Sequence, residues 1–142
     1  MFSKAESKRI RQEFWTSFGK EYPRKWVLYH TKIKHVALKF TFTTKKAQVS
    51  IDIEPYDEVL KDYYFEKFVS LKSILLSEYL PAIIYDHNYE LENGKIISRL
   101  YVELSGVSIH NRDTWKKVKN FLNEKMMKLE TFFLEYRDYI DD

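Results

Sequence analysis

The chain has 142 residues, a formal net charge of +3 and no cysteine. That length fits one domain with a self-sufficient core, and the missing thiols exclude disulfides, zinc–thiolate sites and thiol catalysis. Residues 1–14 carry no apolar run of the kind a secretory signal needs, and no stretch approaches the roughly 20 apolar residues of a membrane span. The expectation is a single domain over residues 1–142 in the cytoplasm, with no membrane partner.

Ser3 and Glu6 have capping-box spacing, so a first helix is predicted from about Lys4. Ile10, Phe14 and Phe18 repeat every four residues and define its buried stripe, widened by Trp15. Gly19 and Pro23 end it. Residues 25–30 (KWVLYH) read as a short strand with Trp26 and Leu28 on one side.

Residues 36–54 are the organising stretch. Val36, Leu38, Phe40 and Phe42 alternate with polar residues, and after a polar break Ala47, Val49, Ile51 and Ile53 resume the alternation. Period two on both sides of a short break predicts an antiparallel hairpin with one buried face. Pro55 is expected to stop its second strand.

Asp57 can cap a second helix running to about Tyr79, whose apolar residues spread well beyond half its circumference; Pro81 ends it. Its broad stripe makes it the expected cover of the hairpin, with Phe68, Leu71 and Leu75 against Leu38, Phe40, Val49 and Ile51. Asn93-Gly94 between residues 83–91 and 95–104 predicts a second hairpin, since a type I′ turn needs two positive φ angles. Residues 107–110 form a candidate edge piece. Asn111 or Asp113 caps a last helix to about Tyr139, striped by Trp115, Val118, Leu122, Met126, Leu129, Phe133, Tyr136 and Ile140.

The predicted order is α-β-β-β-α-β-β-α. It describes an α+β fold with a largely antiparallel sheet of about five strands, helices on one face and polar side chains on the other.

Two constellations carry functional readings. Asp52 and Glu54 share one strand face, where paired carboxylates can hold Mg²⁺ or Mn²⁺. The element order resembles the core of restriction-endonuclease-like nucleases, whose metal site pairs an Asp with a Glu-x-Lys triplet. Here Glu54 is followed by Pro55 and Tyr56, with Lys39 on the neighbouring strand as a spatial substitute. The alternative is a solvated strand face on which Lys39 and Arg99 pair with these acids.

The second constellation is basic. Residues 1–50 hold twelve Lys/Arg against three Glu, while residues 51–142 hold twelve against eighteen Asp/Glu. Such asymmetry points to an anionic partner for the basic part, or to mutual neutralisation within the fold. Lys4, Lys8 and Arg11 lie on one helical face, and Lys20, Arg24, Lys25 and Trp26 follow. Cations beside aromatic rings suit single-stranded nucleic acid, with phosphates neutralised and bases stacked. No histidine pair has metal-ligand spacing, residues 106–110 (GVSIH) do not make a nucleophile elbow, and three scattered glycines build no phosphate loop.

Residues 11–19 (RQEFWTSFG) resemble the opening signature of a bacterial and archaeal family classed as a domain of unknown function. Residues 32–34 (KIK), 51–54 (IDIE) and 101–103 (YVE) resemble its later landmarks. The similarity spans about Lys4 to Tyr139. The family occurs alone and appended to larger proteins, some with nuclease-like domains, so the resemblance implies a context in nucleic-acid metabolism and supplies no catalytic residues. The expected function is a non-enzymatic binding or accessory module without cofactor, contacting nucleic acid through its basic first third. The alternatives are a divalent-metal-dependent nuclease at Asp52 and Glu54, and a protein-interaction module or homodimer.

Overall fold

A computed structural model describes residues 2–54 and 57–142. The order is α1 (Lys4–Glu21), β1 (Val36–Phe42), β2 (Lys46–Ile53), α2 (Glu58–Ser70), a single turn α3 (Lys72–Ile74) continuing as a π-helical turn (Leu75–Tyr79), β3 (Ile84–Glu90), β4 (Ile96–Ser105), a 3₁₀ turn (Arg112–Thr114) and α4 (Trp115–Asp141). The strands form one antiparallel sheet in the order β1-β2-β4-β3. Among the described residues no helix is long and apolar enough to cross a membrane. The expected stop at Pro55 lies outside the described residues.

The capping box forms as read: the Glu6 amide donates to Ser3 Oγ at 3.1 Å and the Ser3 amide to Glu6 at 3.4 Å. The hairpin register also follows the alternation, with Leu38 opposite Ile51 and Phe40 opposite Val49. The helix covering it differs from expectation. α4 packs across β1, β2 and β4 and covers β2 more fully than α2 does, while α2 also meets β3 through Tyr85 and His87. Phe40 meets Phe18 (5.2 Å), Trp26 (5.5 Å) and Trp15 (6.1 Å), on α1 and the loop after it. A 27-residue helix can span all the inner strands, whereas the predicted second helix breaks. At Leu71 the backbone leaves helical geometry (ψ 2°), and its amide bonds the Phe68 carbonyl one residue short of the helical partner.

Among the described residues four strands form, not the five or so expected. Residues 25–30 run beside β1, with Trp26 against Phe40 and the Leu38 amide donating to the Leu28 carbonyl at 3.0 Å. That is the single backbone bond between the two segments among the described residues. Leu28 turns left-handed (φ 44°), and the His30 amide closes a turn on Val27. Lys32 and His35 are also left-handed (φ 66° and 70°), a conformation costing of order 1 kcal/mol or more for a residue with a side chain. Two polar anchors hold this loop. Fully buried Thr31 places its hydroxyl 2.7 Å from the Val36 carbonyl and accepts from the Ile33 amide. Glu130 on α4, 3% exposed, accepts from the Val27 amide at 2.7 Å and pairs with Arg24. Residues 107–110 are also turn, not strand; the Ile109 amide caps the Thr43 carbonyl at 3.0 Å.

The second sheet face departs most from expectation. Gln48 and Ser50 are fully buried and Asp52 is 1% exposed. A bulge between Asp86 and Tyr89 in β3 puts Tyr89 opposite Ile97, on the polar face. The Tyr89 hydroxyl accepts from Gln48 at 3.1 Å and from Lys46 at 3.2 Å, although these residues lie two strands away and far along β2. Lys95 reaches Glu54 at 3.4 Å, and Glu92 shares a cavity with Thr44. The outer half of the β3–β4 hairpin therefore folds back across β2 and closes the face that alternation alone assigns to solvent.

Candidate nucleic-acid interface

α1 presents Lys4, Lys8, Arg9, Arg11 and Lys20 as exposed side chains because its buried stripe faces the core. Its acids are all engaged. Glu6 closes the capping box, Glu13 pairs with Arg112, and Glu21 takes Lys119 at 3.0 Å. The 3₁₀ turn and the start of α4 thus supply cations to Glu13 and Glu21 of α1. Among the described residues, none of Lys4, Lys8, Arg9, Arg11, Lys20 and Lys25 pairs with a carboxylate.

Arg24 and Trp26 have other duties. The Arg24 guanidinium pairs with Glu130 and covers the Trp26 ring at 4.5 Å, and that half-buried indole meets Phe40 edge-on. One ring face is therefore taken, and this loop offers charge rather than a stacking platform.

Asp52 and Glu54 do lie together, beside a 250 Å³ cavity also lined by Tyr29, His35 and Lys39. Both Asp52 oxygens accept from Arg99, at 2.8 Å each, and Ser50 donates to the same carboxylate at 2.9 Å. Lys39 stands 3.6 Å from Asp52 and 3.4 Å from Glu54, whose other oxygen takes Lys95. Arg99 further donates to Gln48 at 2.8 Å. Burial works against the charged Arg99, but hydrogen bonding and charge from Asp52 raise its pKa on balance. Lys46 is raised too, chiefly by its bond to Tyr89. This is a closed ion-pair network of the kind the sequence offers as the alternative to a metal site. Among the described residues no group of three or more His, Asp or Glu converges as a metal cluster.

One constellation has no sequence signal. His87 lies between Ser98 (Nδ1 to Oγ, 2.6 Å) and Asp62 (Nε2 to Oδ1, 2.7 Å), stacked on Phe65 at 4.3 Å. Three elements contribute, so no spacing reveals it. Ser98 is fully buried with its hydroxyl 3.0 Å from the His87 carbonyl, so the serine is a structural link and not a nucleophile.

The fold and its surface define an α+β domain with a paired charge network between its inner strands and a first helix whose exposed cations pair with no carboxylate among the described residues. The chain belongs to the family described as a domain of unknown function, DUF4268, whose model matches residues 10–137. No curated protein and no solved structure matches it.

Proposed function

We propose that the chain is a non-enzymatic binding module that docks on nucleic acid through phosphate contacts made by the cationic face of α1. The observation that carries this reading is selective neutralisation. Each acid of α1 is engaged by a cap or a cation, whereas Lys4, Lys8, Arg9 and Arg11 pair with no carboxylate among the described residues. Such a surface keeps its positive potential, attracts polyanions and gains from counterion release. Because Trp26 is covered by Arg24, the reading relies on phosphates rather than stacking, and binding should be largely indifferent to sequence.

Fluorescence anisotropy with labelled single-stranded DNA and RNA over a salt series tests it. Affinity should fall with salt by a log–log slope of roughly 0.7 per neutralised phosphate. Lys8→Glu with Arg11→Glu should weaken all sequences equally and flatten that slope. Equal, weak binding by wild type and the double variant at low salt overturns the reading.

A further inference from the structure

Where the cationic face of α1 meets the β1–β2 turn there is a cavity of about 400 Å³. Ser7 and Arg11 line it from α1, Thr44 from the turn, His110 from the loop after β4, and Glu92 from the folded-back tip of the β3–β4 hairpin. Buried Phe42 and Ile109 give it an apolar floor.

Its polar groups are held in place yet left with capacity. The Ser7 hydroxyl and His110 Nε2 are 3.1 Å apart, and Phe2 packs on the imidazole at 4.5 Å. Thr43 uses its hydroxyl within the turn, accepting from the Lys45 and Lys46 amides at 3.1 and 3.2 Å. That bonding fixes the turn and leaves the Thr44 hydroxyl without a protein partner among the described residues. Arg11 has no carboxylate partner there either. The Arg11 guanidinium fork, the Thr44 hydroxyl and the donor that the Ser7–His110 bond leaves unused surround one space and make a donor set for a group with several free anionic oxygens.

We infer that this cavity receives the terminal phosphate monoester of a nucleic-acid strand, an inference that rests on the reading of α1 as the nucleic-acid interface. A monoester presents three acceptor oxygens and up to two charges, where an internal phosphodiester presents two oxygens and one charge. Glu92 lines the same cavity from the hairpin side, so an anionic strand runs away from it, along the track that Lys8 and Lys4 continue on α1, and the cavity's donors hold the monoester against that one like charge.

The test measures binding of the full chain to one single-stranded oligonucleotide in three forms: 5′-phosphorylated, 3′-phosphorylated and unphosphorylated. One phosphorylated form should bind tighter by roughly tenfold or more, the scale of hydrogen bonds to a charged group. Thr44→Val changes no charge at an exposed position, so it should fold, reduce that preference several-fold and leave the unphosphorylated affinity in place. His110→Gln should reduce the preference in the same way. Equal affinity for all three forms overturns the inference and leaves the nucleic-acid reading standing. A preference that neither substitution diminishes also overturns it, because the phosphate is then held elsewhere. Binding of none of the three at low salt overturns the inference and the nucleic-acid reading together.

Discussion

The ring of Tyr89 covers the guanidinium of Arg99, with the charged carbon 4.5 Å from the ring centroid. Beneath it, Arg99 makes its two-pronged bond to Asp52. The pair is closed between a tyrosine from the folded-back hairpin and the backbone of β2, which makes it a buried ion pair rather than a surface one. Buried pairs are expensive to break and cheap to replace whole.

Arg99→Met leaves the Asp52 carboxylate buried beside Lys39 as its remaining cation, and should cost about 3–5 kcal/mol in chemical denaturation. The double variant Asp52→Leu with Arg99→Met should recover most of that loss. Additive losses in the double variant would mean the site is solvated and the hairpin does not close over it.

Glu130 pins the loop of residues 22–35 to α4. Glu130→Ala leaves the Val27 amide and Arg24 without their acceptor, at a cost of about 2–3 kcal/mol. The damage should be local. Hydrogen exchange should accelerate at the Leu38 amide, which bonds to Leu28 in that loop, while the β1–β2 ladder amides stay protected.

Alkaline pH should destabilise the fold. Burial pushes the Tyr85 phenol well above its ordinary value of 10.0, and Tyr101 is raised by burial and by Glu103. The folded state therefore prefers the protonated phenols. Their contribution is whole below pH 10 and is lost as pH rises from there through the folded-state values. Raised Lys46 acts in the same direction from its ordinary 10.5. The Tyr85 hydroxyl donates to the Phe68 carbonyl at 2.9 Å, so Tyr85→Phe should cost about 0.5–1.5 kcal/mol at neutral pH. Denaturant midpoints between pH 9 and 12 should fall less steeply in that variant than in wild type.

Titration calorimetry with Mg²⁺ or Mn²⁺ should show no uptake at Asp52 and Glu54, since both Asp52 oxygens accept from Arg99 and Glu54 lies between Lys39 and Lys95. Saturable uptake that Asp52→Asn removes would restore the nuclease alternative.

The sequence by itself determined the local structure and the inner face of the sheet. The Ser3–Glu6 capping box, the stripe of Ile10, Phe14 and Phe18, the alternation from Val36 to Ile53 and the Asn93-Gly94 turn each act over a few residues through backbone hydrogen bonds and side-chain period. The structure keeps the cap, the stripe, the alternation and the second hairpin, but only Gly94 is left-handed in its turn (φ 88°) and its amide bonds the Leu91 carbonyl at 2.8 Å, so the turn is not the type I′ that Asn93-Gly94 predicts. It also placed Asp52 and Glu54 together and left Lys4, Lys8 and Arg11 exposed on one helical face.

Tertiary structure decided the rest, because the forces at issue join distant parts of the chain. A bulge in β3 swaps Asn88 for Tyr89 on the polar face and lets the hairpin close over Asp52 and Arg99, and alternation carries no record of a one-residue slip. Residues 25–30 have strand composition. Their conformation is instead set by Glu130, more than a hundred residues away, which ties down the Val27 amide and draws Arg24 across Trp26. The charge balance of α1 was settled the same way: Arg112 and Lys119 take Glu13 and Glu21, and the cations of its first turns pair with no carboxylate among the described residues.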